Sequence, residues 1–193
     1  MGKDTANHSI LYIHGTPLDS GKANIIQVVS MCHALANNDI DVELALPETN
    51  IRRGEASDYI FKSYGIKMNF KVLFFKENYK NSTLNKYLSK DSIKKILDYS
   101  DANYVFTRIP NFLQLIINSG KKLIFESHNN ILHNRISIID RYWKYKIKHL
   151  IIKKNFTLFI CISQNLGDFW LDNLIPKEKM LVLHDGFISN HFE

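Results

Sequence analysis

Hydrophobic residues recur along this chain in two rhythms that alternate. One is the short, mostly apolar run: Ile10 to Ile13, Val42 to Leu46, Tyr104 to Arg108, Lys122 to His128, Thr157 to Ser163 and Met180 to His184, with Lys67 to Phe75 alternating through Phe70, Val72 and Phe74. The other is a spacing of three and four, as in Ile25, Val28, Cys32 and Leu35, with Val29 and Ala36 beside them. Consecutive runs of this length predict strands buried on both faces, and the longer spacing predicts amphipathic helices. Strands alternating with helices predict a Rossmann-like three-layer α/β/α sandwich on a mostly parallel sheet of about seven strands.

The helices follow from the same pattern. One runs to Asn37, and a loop with a short helix covers 48–65. Leu84, Tyr87, Leu88, Ile96 and Leu97 mark a helix over 82–99. Pro110 opens a helix that Gly120 ends. A long helix spans 136–154, and another spans 164–174. No internal repeat or low-complexity segment interrupts the series.

In open parallel sheets, ligands bind outside the carboxyl ends of the strands. That rule selects residues 14–21, Pro47, Arg108, residues 126–130, Ser163 and Asp185-Gly186. The turn between Gly15 and Gly21 precedes a helix that Asp19 or Ser20 can cap. Gly21 lets backbone approach a ligand closely, and the N–H groups of the helix N-terminus suit phosphate or carboxylate. Two familiar signatures do not fit. Pro17 and Ser20 stand where a dinucleotide fingerprint has glycines, and five residues separate Gly15 from Gly21-Lys22, where a P-loop has four. Ala23 also replaces the P-loop hydroxyl. A plain βα turn is the competing reading.

Alternation places Glu126 and His128 on one side of their strand, where an imidazole beside a carboxylate can act as acid or base or bond a sugar hydroxyl. A histidine that only closes a strand end is the alternative. Arg108 can hold phosphate through its fork, or pair with Glu126 or an aspartate. His133 lies near the same tip, but no metal-ligand spacing accompanies it, so no metal is expected. Ser163 lacks a Gly-x-Ser-x-Gly elbow.

Composition narrows the partners. The chain has 193 residues, 45% of them apolar, and a formal net charge of +6; the isoelectric point is near 9.2. This favours anionic ligands. Arg141, Lys144 and Lys148, with Lys146, Lys153 and Lys154, give the 136–154 helix a basic side. Ile136, Ile139, Trp143, Ile147 and Leu150 form its apolar stripe. Such a helix can rest peripherally on an anionic membrane, or cover the sheet with a solvated face. No recognition motif supports nucleic acid. Cys32 and Cys161 lie in apolar settings and read as buried thiols. With residues 1–9 polar and no apolar run of membrane-spanning length, a cytoplasmic location is expected, with a peripheral position at the inner face of the membrane open to the basic helix.

Taken in order, these segments resemble the N-terminal domain of family 4 glycosyltransferases, which have the GT-B architecture. The matching pieces are the Gly21 loop with its helix and Val42 to Pro47, Tyr104-Val-Phe-Thr-Arg108, Leu123-Ile-Phe-Glu126-Ser-His128, and Phe159 to Ser163 followed by Met180 to Gly186 and Phe192. The resemblance implies retaining transfer of a sugar from a nucleotide-diphospho-sugar to a glycan or lipid-linked acceptor, with no cofactor and no metal. It places Ser20, Gly21 and Lys22 at the donor diphosphate. His128, with Glu126, falls at the reacting sugar, and His14, Arg108 and Asn129 fall on the acceptor side. Residues 1–9 are expected to be a disordered tail, 10–186 the acceptor-side domain, and 187–193 the start of an interdomain linker. The paired glutamates of a donor-binding C-terminal domain are missing, so the chain is expected to be inactive alone. A freestanding Rossmann-like module for an anionic ligand or a protein partner is the alternative.

Overall fold

The computed structural model describes the backbone of residues 8–76, 90–128, 138–173 and 175–184, and their side chains except for 138–144 and 173. Expectations for Leu84, Tyr87, Leu88, Asn129, His133, Ile136, Leu174, Asp185, Gly186 and Phe192, and for the side chains of Ile139, Arg141, Trp143 and Lys144, lie outside these residues. So do the 1–7 part of the tail and residues 187–193.

The strands are β1 (Ser9–Ile13), β2 (Asp41–Pro47), β3 (Lys71–Phe75), β4 (Tyr104–Thr107), β5 (Lys122–Ser127), β6 (Phe156–Cys161) and β7 (Met180–Val182). The helices are α1 (Ala23–Ala36), α2 (Ala56–Tyr64), α3 (Lys90–Tyr99), α4 (Leu113–Asn118), α5 (Ile138–Ile151) and α6 (Gln164–Asn173). The strands form a seven-stranded parallel sheet in the order β3-β2-β1-β4-β5-β6-β7, an α/β Rossmann-like fold. The chain divides within β4 into two compact units, Met1–Val105 and Phe106–Glu193.

In the first unit β1 pairs with β2 and β2 with β3, both in parallel, Ile13 opposite Ala45 and Pro47 opposite Phe75. Leu11, Tyr12 and Ile13 are fully buried, as a strand covered on both faces requires. Helix α1 turns Ile25, Val28, Val29 and Cys32 inward. Strand β3 is shorter than its apolar pattern suggested. Its pairing begins at Lys71, because Asn69 is tied to the end of α1 instead: its side chain meets His33 Nδ1 at 2.9 Å and Asn37 Oδ1 at 2.7 Å.

In the second unit β5 pairs with β6 and β6 with β7, again in parallel. The predicted helix after Pro110 opens as a 3-10 turn, Pro110–Phe112, before α4. Gly120, at φ +80°, follows its end. Helix α5 ends at Ile151, short of Lys154, and buries Ile147 and Leu150 as the stripe predicted. Gly167 stands inside α6, where glycine costs about 1 kcal/mol against alanine. A Cβ there would lie 2.7 Å from Val182 Cγ2, so its bareness lets helix and strand touch. Both cysteines are buried and neither is in a disulfide; burial pushes the Cys161 thiol up to about 12, far from reactive.

Candidate active site

In the second unit, the strand ends carry a buried charge pair. Strand β4 ends at Thr107, whose Oγ1 accepts a hydrogen bond from the Ile109 amide at 3.1 Å. This turns the chain after the strand and fixes Arg108 between the two. The Arg108 guanidinium reaches Glu126 Oε1 at 2.8 Å, and the side chains are only 8% and 3% exposed. His128 Nε2 meets the same oxygen. A carboxylate oxygen can only accept, so Nε2 carries the hydrogen and donates it. Nδ1 is then the ring atom not committed to Glu126, and the ring remains 27% exposed.

The predicted same-side placement of Glu126 and His128 is thus observed. For Arg108, the ion pair with Glu126 is the reading the structure favours. Its guanidinium is largely buried, so Arg108 orients Glu126 instead of offering its fork to solvent. Ser127, between the two, accepts a hydrogen bond from Trp170 Nε1 at 3.3 Å. No sequence motif announced that link.

The first unit supplies the loop after β1. His14 is buried; its amide reaches the Ala45 carbonyl at 3.0 Å, and its ring stands edge-on to Tyr12. Ser20 closes a turn onto the Pro17 carbonyl. Gly21 adopts φ +65° with nothing within 4 Å of where a Cβ would be, so the loop is bare there. The expected capping by Asp19 or Ser20 does not occur. The N-cap of α1 is Lys22, in extended backbone, with no side-chain cap and no acidic residue in the first turn. The extra residues after Ser20 displace its hydroxyl to the Lys22 amide, 3.4 Å away. An uncapped N-terminus keeps its partial positive charge for another acceptor.

The Tyr64 hydroxyl pins this loop by donating to the Leu18 carbonyl at 2.5 Å. Burial, then the neighbouring Tyr59 and Asp19, push the Tyr64 phenol from 10.0 up to about 12. A raised pKa means the fold favours the neutral phenol. Its contribution is therefore whole below pH 10 and is lost as pH rises towards 12. We expect alkaline unfolding to steepen across that window. Tyr64→Phe should flatten it while costing about 1 kcal/mol at pH 7. Urea midpoints measured from pH 7 to 11.5 check both; identical pH profiles for the two proteins would exclude this role.

Among the described residues no cluster of potential ligands could hold a metal ion, and no helix is long and apolar enough to cross a membrane. Along and beyond α5, Tyr145 is 65% and Ile152 71% exposed beside exposed Lys148, Lys153 and Lys154.

The sequence matches no protein-family model and no curated protein. Solved structures share the fold. HepE of Anabaena, in complex with UDP and glucose, superposes with a TM-score of 0.56 at 14% identity, over 95% of this chain and 46% of that one. The same protein with UDP-glucose gives 0.55 at 14% identity, over 94% and 45%. LpCGTa in complex with UDP gives 0.60 at 6% identity, over 94% and 53%. The fold is that of one Rossmann-like domain of the GT-B architecture. The chain spans about half the length of these structures.

Proposed function

We propose that this chain is the N-terminal, acceptor-side half of a retaining family 4 glycosyltransferase. It would move a sugar from a nucleotide-diphospho-sugar to a glycan or lipid-linked acceptor, with a C-terminal domain closing the donor cleft. The observation that carries the reading is His128, held at a strand's carboxyl end by a buried carboxylate that Arg108 neutralises. The likeness to structures that hold UDP and UDP-glucose supports the donor class.

In the reaction, the bond from the anomeric carbon to the diphosphate oxygen breaks as the acceptor oxygen bonds that carbon. The acceptor's proton leaves with the diphosphate. Charge develops on the leaving oxygen as that bond breaks. His128 would hold a hydroxyl of the donor sugar, its ring fixed by Glu126.

The test is release of nucleoside diphosphate by the two-domain protein across a panel of nucleotide-sugars. His128→Ala should lower kcat/KM about 100-fold or more with folding intact. The chain alone should bind nucleotide weakly. Tight calorimetric binding by the chain alone would favour the self-sufficient module instead, and an unimpaired His128→Ala would remove the assignment.

The exposed Tyr145 and Ile152 beside three lysines support peripheral contact with an anionic membrane. The chain should then sediment with phosphatidylglycerol vesicles, release as salt rises, and ignore phosphatidylcholine. Equal retention on both lipids would argue against it.

A further inference from the structure

The first unit contains a cleft of about 650 Å³ that the turn around Gly21 does not line. Its position follows from the fold. Glu48 and Thr49 come directly after β2, and Leu73 and Phe74 lie near the end of β3, so one side of it is built from strand carboxyl ends. Arg53, in the 3-10 turn before α2, and Lys95, on α3, bring cations to it from different segments.

The lining has a definite chemistry. Buried Leu73 and Ile96 form an apolar floor. Phe74 is half-buried, and among the described residues Tyr99 is 71% exposed. Arg53 and Lys95 are exposed, and among the described residues neither forms an ion pair. Two cations face one carboxylate, that of Glu48, so the cleft carries a surplus positive charge.

A flat apolar ligand would leave the cations and the carboxylate without use. A bare inorganic anion would leave the aromatic rings and the floor uncovered. The geometry points to an anionic saccharide as the occupant of this cleft. A pyranose face would lie against Tyr99 or Phe74, and hydroxyls would bond Glu48 and Thr49. A carboxylate or phosphate on the sugar would meet the Arg53 fork and the Lys95 ammonium. That this saccharide is the acceptor rests on the reading of the chain as an acceptor-side half; the ligand class rests on the cleft alone.

The experiment is a titration of the chain followed by NMR, with three probes: a glucuronic-acid-containing disaccharide, a hexose 1-phosphate, and neutral cellobiose. Either acidic probe should bind saturably and at least about tenfold tighter than cellobiose. The Arg53→Gln/Lys95→Gln variant should abolish that preference, and Tyr99→Ala should weaken every probe that binds. These side chains are exposed, so unchanged thermal unfolding verifies the variants. Preference for the uronic acid or for the phosphate names the source of the charge. No saturable binding, or equal binding of cellobiose, overturns the proposal. Acidic binding without any transfer by the two-domain protein would leave the cleft standing and remove the transferase reading. Transfer without acidic binding would do the reverse.

Discussion

Arg108→Met should cost about 3–5 kcal/mol in urea unfolding, more than any exposed charge in this chain. The reason is the partner left behind. Glu126 is 3% exposed, and its pairing with Arg108 is made at 2.8 Å, away from water. Among the described residues its second oxygen, Oε2, has no hydrogen-bond partner. Remove the guanidinium and, among the described residues, the buried carboxylate keeps the imidazole of His128 as its one side-chain partner. The double variant Arg108→Met/Glu126→Gln should recover more than half of the loss, because the uncompensated charge has gone. If Arg108→Met alone costs less than about 1 kcal/mol, the pair behaves like a surface ion pair, and the buried scaffold beneath His128 is not what these distances describe.

The pair bears on function through position. One carboxylate oxygen receives both the guanidinium and the imidazole, so the His128 ring depends on a group that Arg108 neutralises. The double variant therefore separates two effects. It should regain stability yet leave the ring less firmly oriented, since a carboxamide can turn either its oxygen or its NH2 towards Nε2.

How much of this was legible in the sequence depends on the range of the interaction. The strands were legible because burial on both faces writes itself as consecutive apolar residues, as in Leu11 to Ile13. The juxtaposition of Glu126 and His128 was legible because a strand repeats every two residues. The failure of Asp19 and Ser20 to cap α1 was not. Capping depends on backbone angles, and Lys22 takes the extended N-cap conformation after a left-handed Gly21. The late start of β3 was hidden too, since Asn69 is claimed by His33 and Asn37, more than thirty residues away. The cleft of Arg53, Lys95 and Tyr99 had no signature, because three separate segments contribute to it and none repeats a recognisable spacing.

Trp170→Ala should also cost about 3–5 kcal/mol, and it should be felt at His128. Trp170 is fully buried, with its ring centroid 5.1 Å from that of Phe159 and 5.5 Å from that of Phe169. Truncation removes that packing and leaves a cavity between α6 and β6. It also leaves the Ser127 hydroxyl without its indole donor, between the two residues that make the site. Trp170→Phe separates these losses. It keeps most of the volume but lacks the N–H, so its cost should fall to about 1–2 kcal/mol. The imidazole resonances of His128 report the second effect. They should shift in both variants if the indole bond steadies the end of β5, and in the alanine variant alone if packing is what holds it. Unmoved resonances in both would mean that Glu126 suffices to place the ring and that Trp170 serves only the core.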